Sequence, residues 1–160
     1  DIVSVDVGAY IGGFHGDCAA TFPCGTISPE AQDLIDVTRE SFFQGICQAR
    51  EGKRLLDISA AIQQYVESHG YSVVREIGGH GVGIEFHEEP WVGYTGTRGT
   101  DMMLVPGMIF TIEPMVNMGT NEIYVDDTDN WSVYTADGEP SAQWEVMVLV
   151  TDDGYEVLAY

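Results

Sequence analysis

Ile2-Val3-Ser4-Val5-Asp6-Val7 alternates apolar and polar side chains, and Gly12-Gly13 then precedes Phe14-His15-Gly16-Asp17. Alternation at period two followed by a glycine pair predicts a β-hairpin. If the two-residue loop is Gly12-Gly13, Asp6 faces Ala19 and Asp17 is its diagonal neighbour on the same face. A loop at Ile11-Gly12 would set Asp6 and Asp17 directly opposite. Both registers turn the two carboxylates to one side, whereas a three-residue loop would separate them. Like charges side by side in a sheet are destabilising unless a cation lies between them or one is protonated. Two aspartates on a wet face are the bland explanation. The flanking Val3, Val5 and Val7 make it an uncomfortable one, and a divalent metal is the alternative.

A second pair of acids has the same character. Glu113 interrupts the apolar run Met108 to Val116, and Glu145 interrupts Trp144 and Val146 to Val150. Carboxylates inside apolar strands are costly unless paired or coordinating. His80 lies in Gly79-His80-Gly81-Val82-Gly83, where glycines allow close backbone approach; a structural histidine is the plain reading and a ligand the sharper one. Four carboxylates and one imidazole would make a hard, oxygen-rich site for two divalent ions of the Mn, Fe, Co or Zn type. Such a pair can acidify a water and polarise a carbonyl.

Between these motifs the chain alternates helix and strand signals. Ser28-Pro29-Glu30 is a helix start, and a helix is expected from there to about Arg50 with Leu34, Ile35, Phe42 and Ile46 inward. Asp57 is expected to cap a second helix carrying Ile58, Ile62 and Val66, which Gly70 stops. Strands are expected at Tyr71–Val74, Met108–Val116, Glu122–Val125, Trp131–Thr135, Gln143–Thr151 and Tyr155–Leu158, with a glycine-rich loop at Gly78–Gly83. Ala136-Asp137-Gly138 and Asp152-Asp153-Gly154 read as hairpin turns. The fold class is therefore α+β, two central helices with a mostly antiparallel sheet.

The 160 residues are 44% hydrophobic, enough for one domain with a real core. No stretch approaches the roughly 20 apolar residues of a membrane helix and no leader opens the sequence, so the expectation is a soluble, cytoplasmic protein without a membrane. With 26 acidic against 6 basic side chains and a formal charge of −20, no basic patch exists to hold phosphates, which argues against direct nucleic-acid binding. Cys18, Cys24 and Cys47 form no CxxC pair; buried thiols are the simple reading and a nucleophilic cysteine near His15 the sharper one. His87-Glu88-Glu89-Pro90 lacks the second histidine of HExxH, the spacing of Gly79, Gly81 and Gly83 fits neither GxGxxG nor a P-loop, and Asp126–Asp129 is not an EF-hand.

Taken together, Val5-Asp6-Val7, Gly13-Phe14-His15-Gly16-Asp17, Gly79–Gly83 with Phe86-His87-Glu88-Glu89-Pro90, Thr111-Ile112-Glu113-Pro114-Met115-Val116 and Ser141-Ala142-Gln143-Trp144-Glu145 resemble type I methionine aminopeptidase. The resemblance runs in order along the whole chain. It implies the pita-bread fold, residues 1–160 as a single metallopeptidase catalytic domain, and removal of N-terminal methionine from nascent proteins and peptides with a small second residue. It implies five ligands for two divalent ions: Asp17 and Glu145 bridging, Asp6 on one ion, His80 and Glu113 on the other. By the same resemblance Glu113 shuttles a proton, a metal-activated hydroxide attacks, His87 binds the scissile carbonyl, and Phe86 and Trp131 wall the methionine pocket. The family extends upstream of the first aspartate, so the chain resembles the C-terminal part of the enzyme. An isolated chain of this kind is expected to self-associate or to need the missing N-terminal segment, and a monodisperse monomer in light scattering would count against that. Where the family usually has His-Thr after the last glutamate, this chain has Val146-Met147, a lost polar group that is expected to weaken the metal site. Two alternatives compete: a proline-directed peptidase of the same fold, separated by relative turnover of Met-Ala and Ala-Pro peptides, and a non-catalytic pita-bread module that would bind a partner without metal.

Overall fold

The computed structural model describes residues 1–159. Thirteen elements follow one another: β1 (Ile2–Ile11), β2 (Phe14–Pro23), α1 (Pro29–Ile46), α2 (Leu55–Ser68), β3 (Ser72–Val73), β4 (Gly79–Gly81), β5 (Glu88–Val92), β6 (Ile109–Ile112), β7 (Met115–Asn117), β8 (Ile123–Val125), β9 (Val133–Thr135), β10 (Ser141–Val150) and β11 (Tyr155–Ala159). The main sheet has the order β1-β2-β10-β6-β4-β5, with β11 and β7 also on β10 and β3 on β7; β8 and β9 form a separate ribbon. All pairings among the described residues are antiparallel.

The opening hairpin takes the Gly12-Gly13 register. Both glycines have positive φ, +61° and +95°, as a two-residue hairpin turn requires. Asp6 pairs with Ala19 and Gly8 with Asp17, so both carboxylates share a face. The same register puts His15 and Cys18 on opposite faces, which removes the cysteine–histidine dyad. Cys24 and Cys47 are exposed rather than buried and Cys18 is half-buried, because the first two lie beyond the ends of β2 and α1.

Strand β10 organises the sheet. It pairs with β2 through Trp144–Val146, with β6 through Val146–Leu149, with β7 through Ser141–Gln143 and with β11 through Met147–Val150. Its alternation divides the molecule. Trp144, Val146, Val148 and Val150 face the helices: the Arg39 guanidinium of α1 lies 5.2 Å from the Trp144 ring, and the last three are buried with Phe110, Ile112, Phe42, Ile46, Ile58 and Ile62. Glu145 projects from the other face. Val146 fills this helix-side core. Past β10 towards the edge the helix cover thins, and Val3, Val5, Val7 and Phe22 are 43–52% exposed on edge strand β1 and its neighbour.

Several boundaries differ from the sequence reading for local reasons. The expected Met108–Val116 strand is two, split at Glu113-Pro114, since Pro114 has no N–H for the ladder; its carbonyl accepts from Trp144 N instead. The expected glycine-rich loop contains strand β4, wedged between β5 and β6, where a side chain at Gly79 would run into Thr111 O. Strand β5, which no sequence signal marks, contains Pro90 and lies at the sheet edge, where a proline is tolerated. Helix α1 ends at Ile46, not Arg50, in a turn where Ala49 N–H donates to Ile46 O. Asp57 does not precede α2 but occupies its first turn, accepting from Arg54 N–H at 2.8 Å and Gly99 N–H at 2.9 Å. Ala136–Gly138 turns the chain between strands that do not pair, because β9 zips onto β8. Among the described residues no helix is long and apolar enough to cross a membrane.

Gly45 lets α1 and α2 approach: an added Cβ would stand 2.7 Å from Ile62 Cγ1 and Cδ1. Gly→Ala inside an exposed helix stabilises by about 1 kcal/mol. Here Gly45→Ala is expected to destabilise by about 1–3 kcal/mol in chemical denaturation, and by less in an Ile62→Val background. A stabilised Gly45→Ala chain would contradict the packing described.

Candidate metal centre

Three strands carry carboxylates to one face. Asp6 and Asp17 come from the opening hairpin, Glu145 from the middle of β10 opposite Ala19, and Glu113 from the break after β6. His80 comes from β4, flanked by Gly79 and Gly81, whose missing side chains let β4 press against Thr111 and Glu89. These five residues line a cavity of about 560 Å³ together with Phe86, His87 and Trp91. Trp131 does not line it; the indole is 84% exposed beside the β8–β9 ribbon.

Ligand-type atoms of Asp17, His80 and Glu145 all lie within 4.8 Å of one another. His80 Nε2 is 3.5 Å from Asp17 Oδ2 and 3.7 Å from Glu113 Oε1. Its Nδ1 is 2.9 Å from Gly81 O. A carbonyl can only accept, so this contact places the proton on Nδ1 and, in the neutral ring, leaves the Nε2 lone pair facing the carboxylates. Asp6 lines the cavity outside the tight cluster. Glu113 has both oxygens engaged, Oε1 accepting from the Thr111 hydroxyl at 2.8 Å and Oε2 from Gln143 Nε2 at 3.3 Å. Glu113 N–H donates to the buried Tyr94 hydroxyl at 2.6 Å.

The rim is one loop tied to the hairpin. His15 N–H donates to Gly83 O at 2.7 Å, and Phe86 lies over Gly8, where an added Cβ would stand 2.7 Å from Cε2. His87 is exposed, its ring 4.3 Å from that of His80 between centroids. Thr111, Gln143 and Trp91 belong to the site and were not singled out from sequence. For the first two a signal existed: each stands two residues before a carboxylate on the same strand path, the spacing that returns to one sheet face.

Residues 1–152 match the model of metallopeptidase family M24. The chain belongs to that family. It is 51% identical over 158 residues to a methionine aminopeptidase of Clostridium perfringens, covering 99% of this chain. Among solved structures, the methionine aminopeptidases of Rickettsia prowazekii (41% identical, TM-score 0.97) and Thermotoga maritima (43%, TM-score 0.95) each match 98% of it. The M24 architecture is thus the pita-bread fold expected from the sequence. The chain spans 63% of the length of each of these three relatives.

The electrostatics test whether this M24 cavity suits cations. Glu145 is 2% exposed and Asp17 3%, and Glu145 Oε2 and Asp17 Oδ1 have no hydrogen-bond partner. Buried acceptors without donors cost about 1–3 kcal/mol each, more when charged, so the donor set is that of a site awaiting positive charge. Burial first, then the charges of Glu113, Asp17 and Asp6, push Glu145 up to about 10. Burial likewise raises Glu113 to about 7, against the Thr111 hydrogen bond and the His80 charge. Asp6 is raised by burial and by Asp17. For His80, burial lowers the imidazole pKa, but the hydrogen bonds with Asp17 and Gly81 and the charge of Glu113 outweigh it. Oxygen-rich donors with one imidazole suit a hard or borderline divalent ion.

Without metal, Glu113 and Glu145 bind their protons more tightly in the folded chain than at their ordinary value of 4.5. The folded state then holds the extra protons, so stability falls as pH rises from about 4.5 through 7 towards 10. The metal-free chain is expected to melt lower at pH 8.5 than at pH 5.5, by about 4 °C or more, and Glu145→Gln to flatten that slope. A melting temperature that rises over this range, or a slope indifferent to Glu145→Gln, would contradict the assignment.

Proposed function

We propose that the chain is the metal-bearing part of a methionine aminopeptidase, acting on the N-terminus of a peptide or nascent protein whose second residue is small, within residues 1–160 as one catalytic domain. The observation that carries this is the convergence of Asp17, His80 and Glu145, with orphaned carboxylate oxygens, in a cavity whose rim presents His87 and Phe86. Asp6, Asp17, His80, Glu113 and Glu145 would hold two divalent ions, of the Mn, Fe, Co or Zn type. When bound, such ions supply Lewis acidity towards a carbonyl and lower the pKa of water.

The chain's own groups supply the rest. Glu88 and Glu89, at the rim and outside the ligand set, draw in a free α-amine. Phe86, seated on Gly8, offers an aromatic face to the apolar side chain of the first residue. His87, exposed beside His80, donates a hydrogen bond to the scissile carbonyl oxygen as negative charge develops there. Glu113, at the strand break, takes a proton from the attacking water and returns it to the leaving amine. Such an exopeptidase needs no nucleic-acid or membrane surface.

The test is release of methionine from a Met-Ala peptide, set against cleavage of an Ala-Pro peptide, with Mn or Co added. Turnover of the first and not the second is expected, with His87→Ala lowering kcat by about 10²-fold or more at unchanged metal content. Equal or faster cleavage of the Ala-Pro peptide would overturn the methionine assignment. Full activity in His87→Ala would overturn its role, and no cleavage by a fully metal-loaded chain would overturn the proposal for this chain alone.

A further inference from the structure

Thr111 is fully buried on the site face of β6, pairing with Met147 of β10. Its hydroxyl oxygen accepts from His80 N–H at 3.0 Å, and its proton goes to Glu113 Oε1 at 2.8 Å. A hydroxyl has one proton to give. The other acceptor in reach, His80 O, is 3.5 Å away, so the amide on one side directs the proton to the carboxylate on the other. One oxygen thereby links β4, which carries His80, to the strand break that carries Glu113. The approach is built into the backbone as well: an added Cβ at Gly79 would lie 2.9 Å from Thr111 Oγ1. Among the described residues, no other hydrogen bond to a side-chain atom of Asp6, Asp17, His80, Glu113 or Glu145 is as short, and Asp17 and Glu145 each retain an unpaired oxygen.

We propose that Thr111 is a positioning residue for the metal site, its hydroxyl fixing His80 Nε2 and Glu113 Oε1 at the 3.7 Å separation seen here so that both address one ion. The inference rests on the metal reading of the site given above. It assigns the hydroxyl a task that the shape of the side chain does not perform. Threonine and valine have the same branched outline and both suit a buried strand, so a purely structural Thr111 would be replaced by valine without effect on the ions.

The experiment compares the parent chain with Thr111→Val and Thr111→Ser in three readouts: Mn and Co affinity by equilibrium dialysis, hydrogen exchange of the His80 amide, and thermal melting. Thr111→Val is expected to bind metal about 10- to 100-fold more weakly, the range for groups that orient a ligand, and to exchange the His80 amide faster. Thr111→Ser is expected to stay within about threefold of the parent in affinity, and to keep the amide protected, because the hydroxyl is retained. Parent-like affinity in the valine variant overturns the proposal. So does equal weakening in valine and serine variants, which would mean that shape governs. If Thr111→Val does not fold, Thr111→Ala decides in the same way. If the parent binds no metal, the metal reading fails, and the exchange measurement still judges the clamp: an unchanged His80 amide in Thr111→Val overturns it.

Discussion

Mutual repulsion of carboxylates on one sheet face is the constraint around which the molecule is arranged. Glu145 and Asp17 are almost wholly buried on neighbouring strands, each with an oxygen that no protein group satisfies. Burial and neighbouring charge push Glu145 up to about 10, far outside the ordinary range of a carboxylate. A protein selected for stability alone would place apolar side chains there. Such an arrangement suits cations that take the place of the protons these carboxyl groups otherwise hold.

Holding the carboxylates in place falls to the other side of the sheet. Along β10 the alternation of a strand sends Val146, Val148 and Val150 into the helix-packed core and Glu145 into the cavity. A one-residue slip would exchange the two sets, so the hydrophobic core fixes the position of the site. Gly45 lets the helices close on each other, and Gly79 and Gly81 let β4 close on Thr111 and Glu89. Packing against the helices thus becomes precision on the opposite face, where Thr111 and Gln143 hold Glu113.

Much of this was legible in the sequence. Asp6, Asp17, Glu113 and Glu145 stood out because a carboxylate in an apolar strand is conspicuous, and the helices announced themselves through Ser28-Pro29 and a stripe at helical spacing. The residues that escaped are those whose role depends on contact between distant segments. Thr111 and Gln143 look like ordinary strand residues until β4 and β10 bring His80 and Glu113 beside them. Trp91 lies on a short edge strand, and joins the site only because that strand pairs with β4. Trp131, assigned to a pocket wall by resemblance alone, stands exposed beside the β8–β9 ribbon, and no pattern within one segment tells which way a hairpin ribbon points.

Metal bound per chain tests the central claim most directly, by titrating the demetallated protein anaerobically with Mn or Co and repeating with Asp17→Asn. Two ions per parent chain and a large loss in the variant are the predicted result. No binding, or binding indifferent to Asp17→Asn, would contradict it and leave the buried carboxylates without a purpose.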